Sequence, residues 1–191
     1  NVKYETYIEN IKMNEEKLKQ MVDLLPVRIH VSDSDPDGMK GIDLSESLKA
    51  RRDTYMDMKK YYDAMENKYQ WVICAMPSMA WAKKVFPNDK PAVAFKKLEQ
   101  AILDTTRIDD NALKNWEQHV ANLTEKANIL NDLNLDYLEY KSSNGTNLKL
   151  KLMPNHMWLS AEEDTLGTKV GFVANMPTEE VFTMPSYDGI D

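Results

Sequence analysis

Near the end of the sequence, "NMPTEEVFTMP" (175–185) sets Glu179 and Glu180 side by side among prolines, threonines and bulky apolar residues. As a helix start, the segment would use Thr178 as its N-cap, and the positive end of the helix dipole would favour both glutamates. Pro185 follows seven residues after Thr178, so such a helix is very short. As an extended segment, neighbouring side chains point to opposite faces. Glu180 then shares a face with Phe182, and Glu179 with Val181 and Thr183, so one carboxylate faces a largely apolar interior or cleft. A carboxylate there needs a compensating cation, either a metal ion or an Arg or Lys side chain. On the residues alone, metal ligation, catalysis and a structural ion pair all stay open.

Other chemistry-bearing groups read more plainly. "DSDPDG" (33–38) matches the opening of a calcium loop, but Leu44 stands where the bidentate Glu belongs and Pro36 stiffens the turn. The segment reads as a strand-to-helix turn whose side chains bond their own backbone. His30, His119 and His156 form no local metal spacing and read as structural or surface histidines. Ser78 lacks a nucleophile elbow, and six scattered glycines form no phosphate loop. No catalytic nucleophile or general base is identified.

The bulk composition narrows the classes. The chain has 191 residues, 42% hydrophobic and 29% charged, as in a soluble globular protein with a real core. A net charge of −7, with basic residues interleaved among acids, argues against nucleic acid as a partner. No apolar run reaches the ~18 residues of a membrane span. The single cysteine, Cys74, reads as a small buried hydrophobe, which fits a reducing, cytoplasmic location. The first residue is not Met, so the chain is read as a fragment.

The elements that must position these groups follow from periodicity. Ile8, Ile11, Leu18, Met21 and Leu25 predict an amphipathic helix over 4–25. "PVRIHV" predicts a half-buried strand with Val27, Ile29 and Val31 inward. Asp43 and Glu46 form a capping-box pattern ahead of a helix with the stripe Leu48, Tyr55, Met58, Tyr62 and Met65. "QWVICAM" has the apolar centre of a parallel strand covered on both faces. A helix opens after Pro77, and others cover 90–106 and the stretch from Asp109 or Asp110 through Leu113, Trp116, Val120, Leu123, Ala127 and Leu130. Asn144-Gly145 between alternating runs predicts a hairpin, and "HMWLS" and "KVGFVANM" read as strands. The expected fold class is α/β, with helices on a mostly parallel sheet, followed by a β-rich segment. The expected division is 1–134, an α/β domain, and 135–191, β-rich.

Five stretches occur together in one order: "WVICAMPSMAWAKKVFP" (71–87), "WEQH" (116–119) with "LN" (130–131), "NGTNLKLKL" (144–152), "HMW" (156–158) and "NMPTEEVFTMP". Together they resemble the M29 family of metallo-aminopeptidases, of the thermophilic-aminopeptidase or aminopeptidase T type, over most of 16–191. The resemblance implies a cytoplasmic, usually dimeric exopeptidase that removes N-terminal residues from peptides with two divalent metal ions (Zn, Co or Mn). It also implies that Glu180 is a metal ligand, leaves Glu179 a second-choice candidate, and makes 135–191 the start of the catalytic domain. The family's remaining ligands, including an H-x-D pair, lie downstream of this motif, and an α/β stretch precedes the residue matching Asn1. The 1–191 chain alone is therefore expected to be inactive, with metal absent or weakly bound. The alternative is a non-catalytic interaction or scaffold module using the helices of 43–66 and 110–132.

Overall fold

The computed structural model describes residues 2–33 and 35–190. In chain order its elements are α1 (Tyr4–Leu24), β1 (Arg28–Ser32), α2 (Ser45–Met65), β2 (Trp71–Ala75), α3 (Met79–Val85), α4 (Pro91–Thr105), α5 (Ala112–Leu133), β3 (Tyr137–Lys141), β4 (Asn147–Leu152), β5 (Glu162–Asp164), β6 (Gly171–Val173), β7 (Asn175–Met176) and β8 (Pro185–Ile190). The fold class is α/β: a parallel strand pair with helices, then antiparallel strands. Two compact units divide the chain. The described residues up to Ile102 together with Asp164–Ala174 form one, and Leu103–Glu163 with the described residues from Asn175 onward form the other. The run of helices ends with α5 at Leu133, but α5 itself falls in the second unit, with the strands that follow it.

In the first unit, α1 and α2 enclose Leu18, Met58 and Met65, with Ile11, Met21, Val22, Leu25, Tyr61 and Tyr69 packed around them. Full burial of such side chains contributes about 1.5–3 kcal/mol each. α1 stops at Leu25, whose left-handed φ of 43° turns its N–H back onto the Met21 carbonyl. The buried face of α2 differs from the expected stripe. Ala50, Thr54, Met58 and Met65 are inside, while Leu48, Tyr55 and Tyr62 are exposed. The inward face thus starts with two small residues rather than with the large apolar ones that set the apparent periodicity. The capping box does not form either. The N-cap position is Leu44, with no side-chain bond, because Asp43 spends its carboxylate on the Ser45 N–H at 2.9 Å, before the helix begins.

β1 and β2 pair in parallel, in the register Ile29 to Val72 and Val31 to Cys74. The Ile73 N–H continues the bonding to the Ala174 carbonyl at 2.8 Å. The covering expected of these strands is corrected by the structure. Val27, Ile29, Val31 and Ile73 are all exposed, and Arg28 is the best covered residue of β1, its guanidinium lying over the Tyr69 ring. Cys74 is half-buried. The turn ahead of α2 forms as expected over its described residues, with the Asp37 N–H bonded to Asp35 Oδ1 at 2.9 Å; Ser34 lies outside the described residues. Beyond β2, Ser78 caps α3 by accepting the Trp81 N–H, and α3 meets α4 through Ala82, Ala94 and Leu98.

In the second unit, β3 and β4 form the hairpin expected at Asn144-Gly145. Gly145 takes a φ of 99°, and Asn144 Oδ1 accepts from the Thr146 hydroxyl at 2.9 Å. β8 adds antiparallel to β4, pairing Leu152 with Pro185. The core of this unit is Ala127 of α5, Leu152 of β4 and Trp158, with Leu130, Leu135, Leu138 and Val181 against them. "HMWLS" is not a strand. Only Leu159 pairs, in an isolated bridge to Phe182, because the Asn131 side chain takes the backbone of Trp158 instead. "KVGFVANM" is strand-like as expected, contributing β6 and β7.

Candidate metal centre

The segment that carries the two glutamates is extended, which removes the helix-start reading. It is fastened along its length. Thr178 is buried and Val181 packs into the core of the second unit. Phe182 exchanges both backbone hydrogen bonds with Leu159, at 2.9 and 3.0 Å. The Thr183 hydroxyl donates to the Met157 carbonyl at 2.8 Å. With Thr178 and Val181 inward, Glu179 and Glu180 both lie on the exposed side. The expectation that one carboxylate faces an apolar interior is thereby corrected: the segment does not alternate strictly, and two consecutive residues point outward.

The two carboxylates nevertheless have different surroundings. Glu179 is gripped by Arg107, whose Nη1 and Nη2 donate to Oε1 and Oε2 at 2.6 and 2.9 Å. This bidentate pairing is the strong geometry for a guanidinium and a carboxylate. It holds the Glu179 carboxyl below the ordinary carboxylate range, with a smaller contribution in the same sense from His119. Glu180 has no cation beside it among the contacts described. Its Oε2 accepts the backbone N–H of Glu179 at 2.8 Å. That bond is the main cause of its lowered pKa, and the Thr178 hydroxyl acts in the same direction. Glu180 is thus an ionised, exposed carboxylate.

Arg107 reaches Glu179 from the connection between α4 and α5. Its φ of 56° is left-handed, a conformation uncommon for a non-glycine residue. Side chains of α5 fix that connection. Trp116 Nε1 donates to the Thr106 carbonyl at 2.8 Å, and Asn115 Nδ2 donates to Asp109 Oδ1 at 2.8 Å. Asp109 Oδ1 also accepts the Asn111 N–H at 2.7 Å. One turn along α5, His119 Nε2 lies 2.6 Å from the Thr178 carbonyl. A carbonyl oxygen can only accept, so Nε2 carries the hydrogen. The imidazole stands edge-on to Trp116, with ring centres 5.7 Å apart.

The other sequence candidates fall away from this cluster. His156 bonds the Met153 carbonyl through Nδ1 at 2.9 Å and stands edge-on to Trp158, a structural role. His30 is exposed on β1. Nothing local in the sequence marks Arg107, because "TTRIDD" reads as an ordinary connection in which two aspartates balance the charge. The available signal was the requirement for a cation near Glu179 and Glu180.

The residues present fit a divalent ion only in part. A carboxylate has about four lone-pair positions, so Glu180 keeps acceptor capacity beyond the bond from the Glu179 N–H and the weaker contributions of its own N–H and the Thr178 hydroxyl. Oxygen ligands of this kind suit hard and borderline cations. Among the described residues, no group of three or more His, Cys, Asp and Glu side chains is placed to hold a metal ion. Glu180 can therefore serve as one donor, not as a site.

Comparison with known proteins gives this geometry its context. The family model of the thermophilic metalloproteases (M29) matches residues 2–191. The chain belongs to this metallopeptidase family. Among individual proteins, it is 36% identical over 166 residues to aminopeptidase AmpS of Bacillus subtilis, covering 85% of this chain and 40% of that protein. It is 31% identical over 166 residues to aminopeptidase T of Thermus thermophilus, covering 86% of this chain and 40% of that protein. The solved structure of wild-type AmpT from Thermus thermophilus superposes with a TM-score of 0.77 at 28% identity, over 96% of this chain and 49% of that one. The chain thus spans about 40% of the length of the curated relatives it matches. Among the described residues, no helix is long and apolar enough to cross a membrane.

Proposed function

We propose that this chain is part of a metal-dependent aminopeptidase that removes N-terminal residues from peptides, and that Glu180 is one of its metal ligands. The observation that carries the reading is the division of labour between neighbouring glutamates. Glu179 is occupied by Arg107, whereas Glu180 is ionised, exposed and held by the Glu179 N–H, its own N–H and the Thr178 hydroxyl, with no cation among them. Membership of the M29 family supports the reaction class, and the aminopeptidase names of the relatives support a peptide with a free N-terminus as substrate. The acidic balance of the chain suits a substrate bearing an α-ammonium group.

Two divalent ions, Zn, Co or Mn, belong to the proposal. The chemistry they supply when bound is polarisation of the scissile carbonyl and activation of water. Glu180 presents an anionic oxygen donor to one of them, on a segment that the buried Thr178 and the core-packed Val181 keep from swinging away. A two-ion site needs several ligands, and one carboxylate does not make it, so the 1–191 chain alone is inactive in this proposal. The same reading makes 1–134 an N-terminal α/β domain and 135–191 the start of the catalytic domain. It also places the full-length protein in the cytoplasm as a homodimer, with no nucleic-acid or membrane partner.

The experiment compares the 1–191 chain with the natural full-length protein, each supplied with cobalt, manganese or zinc and a short peptide. Amino acids are released by the full-length protein and not by the 1–191 chain. Glu180→Ala in the full-length protein abolishes release and leaves the circular dichroism unchanged. Normal turnover by that variant sinks the assignment of Glu180, and turnover by the isolated chain sinks its proposed inactivity.

A further inference from the structure

The Thr178–Glu179 peptide group is held at both of its polar ends. Its carbonyl accepts the His119 Nε2–H at 2.6 Å, and its N–H donates to Glu180 Oε2 at 2.8 Å. The side chain that follows this peptide is fixed by the bidentate bond from Arg107. We propose that His119 and Arg107 are positioning residues for the Glu180 carboxylate, acting through the Thr178–Glu179 peptide, and that Glu179 is a strut rather than a ligand. The proposal rests on the reading of Glu180 as a metal ligand.

Three observations argue that this is more than a surface ion pair. The first is the path of the contacts. His119 and Arg107 belong to α5 and the connection before it, yet both converge on residues 178 and 179, respectively 59 and 72 positions along the chain. The second is electrostatic. A carbonyl that accepts a hydrogen bond polarises its peptide and makes the N–H on the other side a better donor, so the His119 contact strengthens the hold on Glu180. The third is the side-chain support of the connection that carries Arg107. Trp116 bonds the Thr106 carbonyl, and Asn115 reaches Asp109, so the left-handed Arg107 backbone is set by α5. A ligand carboxylate oriented in this way by hydrogen-bonded neighbours binds metal more tightly than a freely rotating one, and loss of such partners typically costs 10–100-fold in affinity or activity.

The occupancy of Glu179 argues against its being a second ligand. Both of its oxygens are engaged by the guanidinium. Coordinating a cation through either would bring that ion close to the positive charge of Arg107, which makes Glu179 a weaker donor than the cation-free Glu180.

The test uses the full-length protein and manganese or zinc chloride alone as the probe, with affinity read by titration calorimetry and folding by thermal melting. Arg107→Ala and His119→Phe are each expected to weaken metal binding by about 10–100-fold. With saturating metal they lower kcat while KM for the peptide stays put. His119→Gln, whose amide can still donate to the Thr178 carbonyl, restores affinity to within a few-fold of wild type. Should His119→Phe fail to fold, Arg107→Ala carries the test, since Arg107 is only half-buried and its partner Glu179 is exposed. Unchanged metal affinity in a folded Arg107→Ala variant overturns the proposal. So does a Glu179→Ala variant that loses metal as completely as Glu180→Ala while Arg107→Ala retains it, because Glu179 would then be a ligand. Glu180→Ala with metal affinity intact instead overturns the underlying reading of Glu180.

Discussion

Arg107 and Glu179, 72 residues apart in sequence, meet through two parallel hydrogen bonds of 2.6 and 2.9 Å. The carboxylate side of this pair is 58% exposed and the guanidinium side 29% exposed. A pair this open to water is screened and gains little for the fold as a whole.

Its contribution to global stability is therefore expected to be small. A double-mutant cycle with Arg107→Ala and Glu179→Ala, read by chemical denaturation, should give a coupling of about 0.2–1 kcal/mol. A coupling several times larger would make the pair a structural fastening of the second unit.

Asn131 is expected to matter far more for stability. Its amide accepts the Trp158 N–H at 2.7 Å and donates to the Trp158 carbonyl at 3.0 Å, so one side chain replaces a strand partner for that residue. Trp158 is buried in the core formed with Ala127 and Leu152, so water does not readily take over both bonds. Asn131→Ala should lower the unfolding free energy by about 1–3 kcal/mol. Asn131→Asp keeps the acceptor but sets a carboxylate oxygen against the Trp158 carbonyl, and should be at least as destabilising as Asn131→Ala at neutral pH.

Met65 tests the packing of the first unit. It is 1% exposed where α1 and α2 enclose their core. Met65→Ala removes buried atoms and leaves a cavity, with an expected loss of about 2–5 kcal/mol. Leu48→Ala on the same helix, exposed in the structure, should change stability by less than about 0.5 kcal/mol. Equal losses at the two positions would mean that the buried face of α2 has been assigned wrongly.

The Tyr61–Glu15 contact between α2 and α1 gives a pH signature. The Tyr61 hydroxyl donates to Glu15 Oε1 at 2.6 Å and holds the Glu15 carboxyl below its ordinary value, with Lys19 and Lys60 adding to the effect. A carboxyl depressed in the folded state contributes stability above its unfolded pKa and loses it as pH falls through the folded one. Tyr61→Phe should therefore melt below wild type at neutral pH. The gap should narrow as pH drops below about 4.3, the ordinary glutamate value. A gap that stays constant down to acid pH would show that Glu15 ionisation is not involved.

How much of this was legible in the sequence varied with the range of the interactions. α1, α4 and α5 followed from apolar spacing, and the hairpin from Asn144-Gly145, because each signal is local. The parallel pairing of β1 and β2 followed from the alternation of helix and strand. The buried face of α2 did not, since Ala50 and Thr54 carry no apolar signature, and Asp43 looked like a cap although it bonds one residue too early. At the candidate centre, the sequence located Glu179 and Glu180 and posed the question of a cation. It could not name Arg107, because nothing local to "TTRIDD" points 72 residues ahead. Nor could it place their side chains, because strict alternation turns one glutamate inward where Thr178 and Val181 both take that side and leave Glu179 and Glu180 exposed.

The left-handed Arg107 and its supports from Trp116 and Asn115 bear on when disorder is lost. The connection between α4 and α5 is fastened by bonds from α5, and the 178–183 segment by its bonds to Met157, Leu159 and His119. Freedom surrendered during folding does not have to be surrendered again when a ligand arrives, so in the proposed metal site the groups around Glu180 would be set in advance of binding.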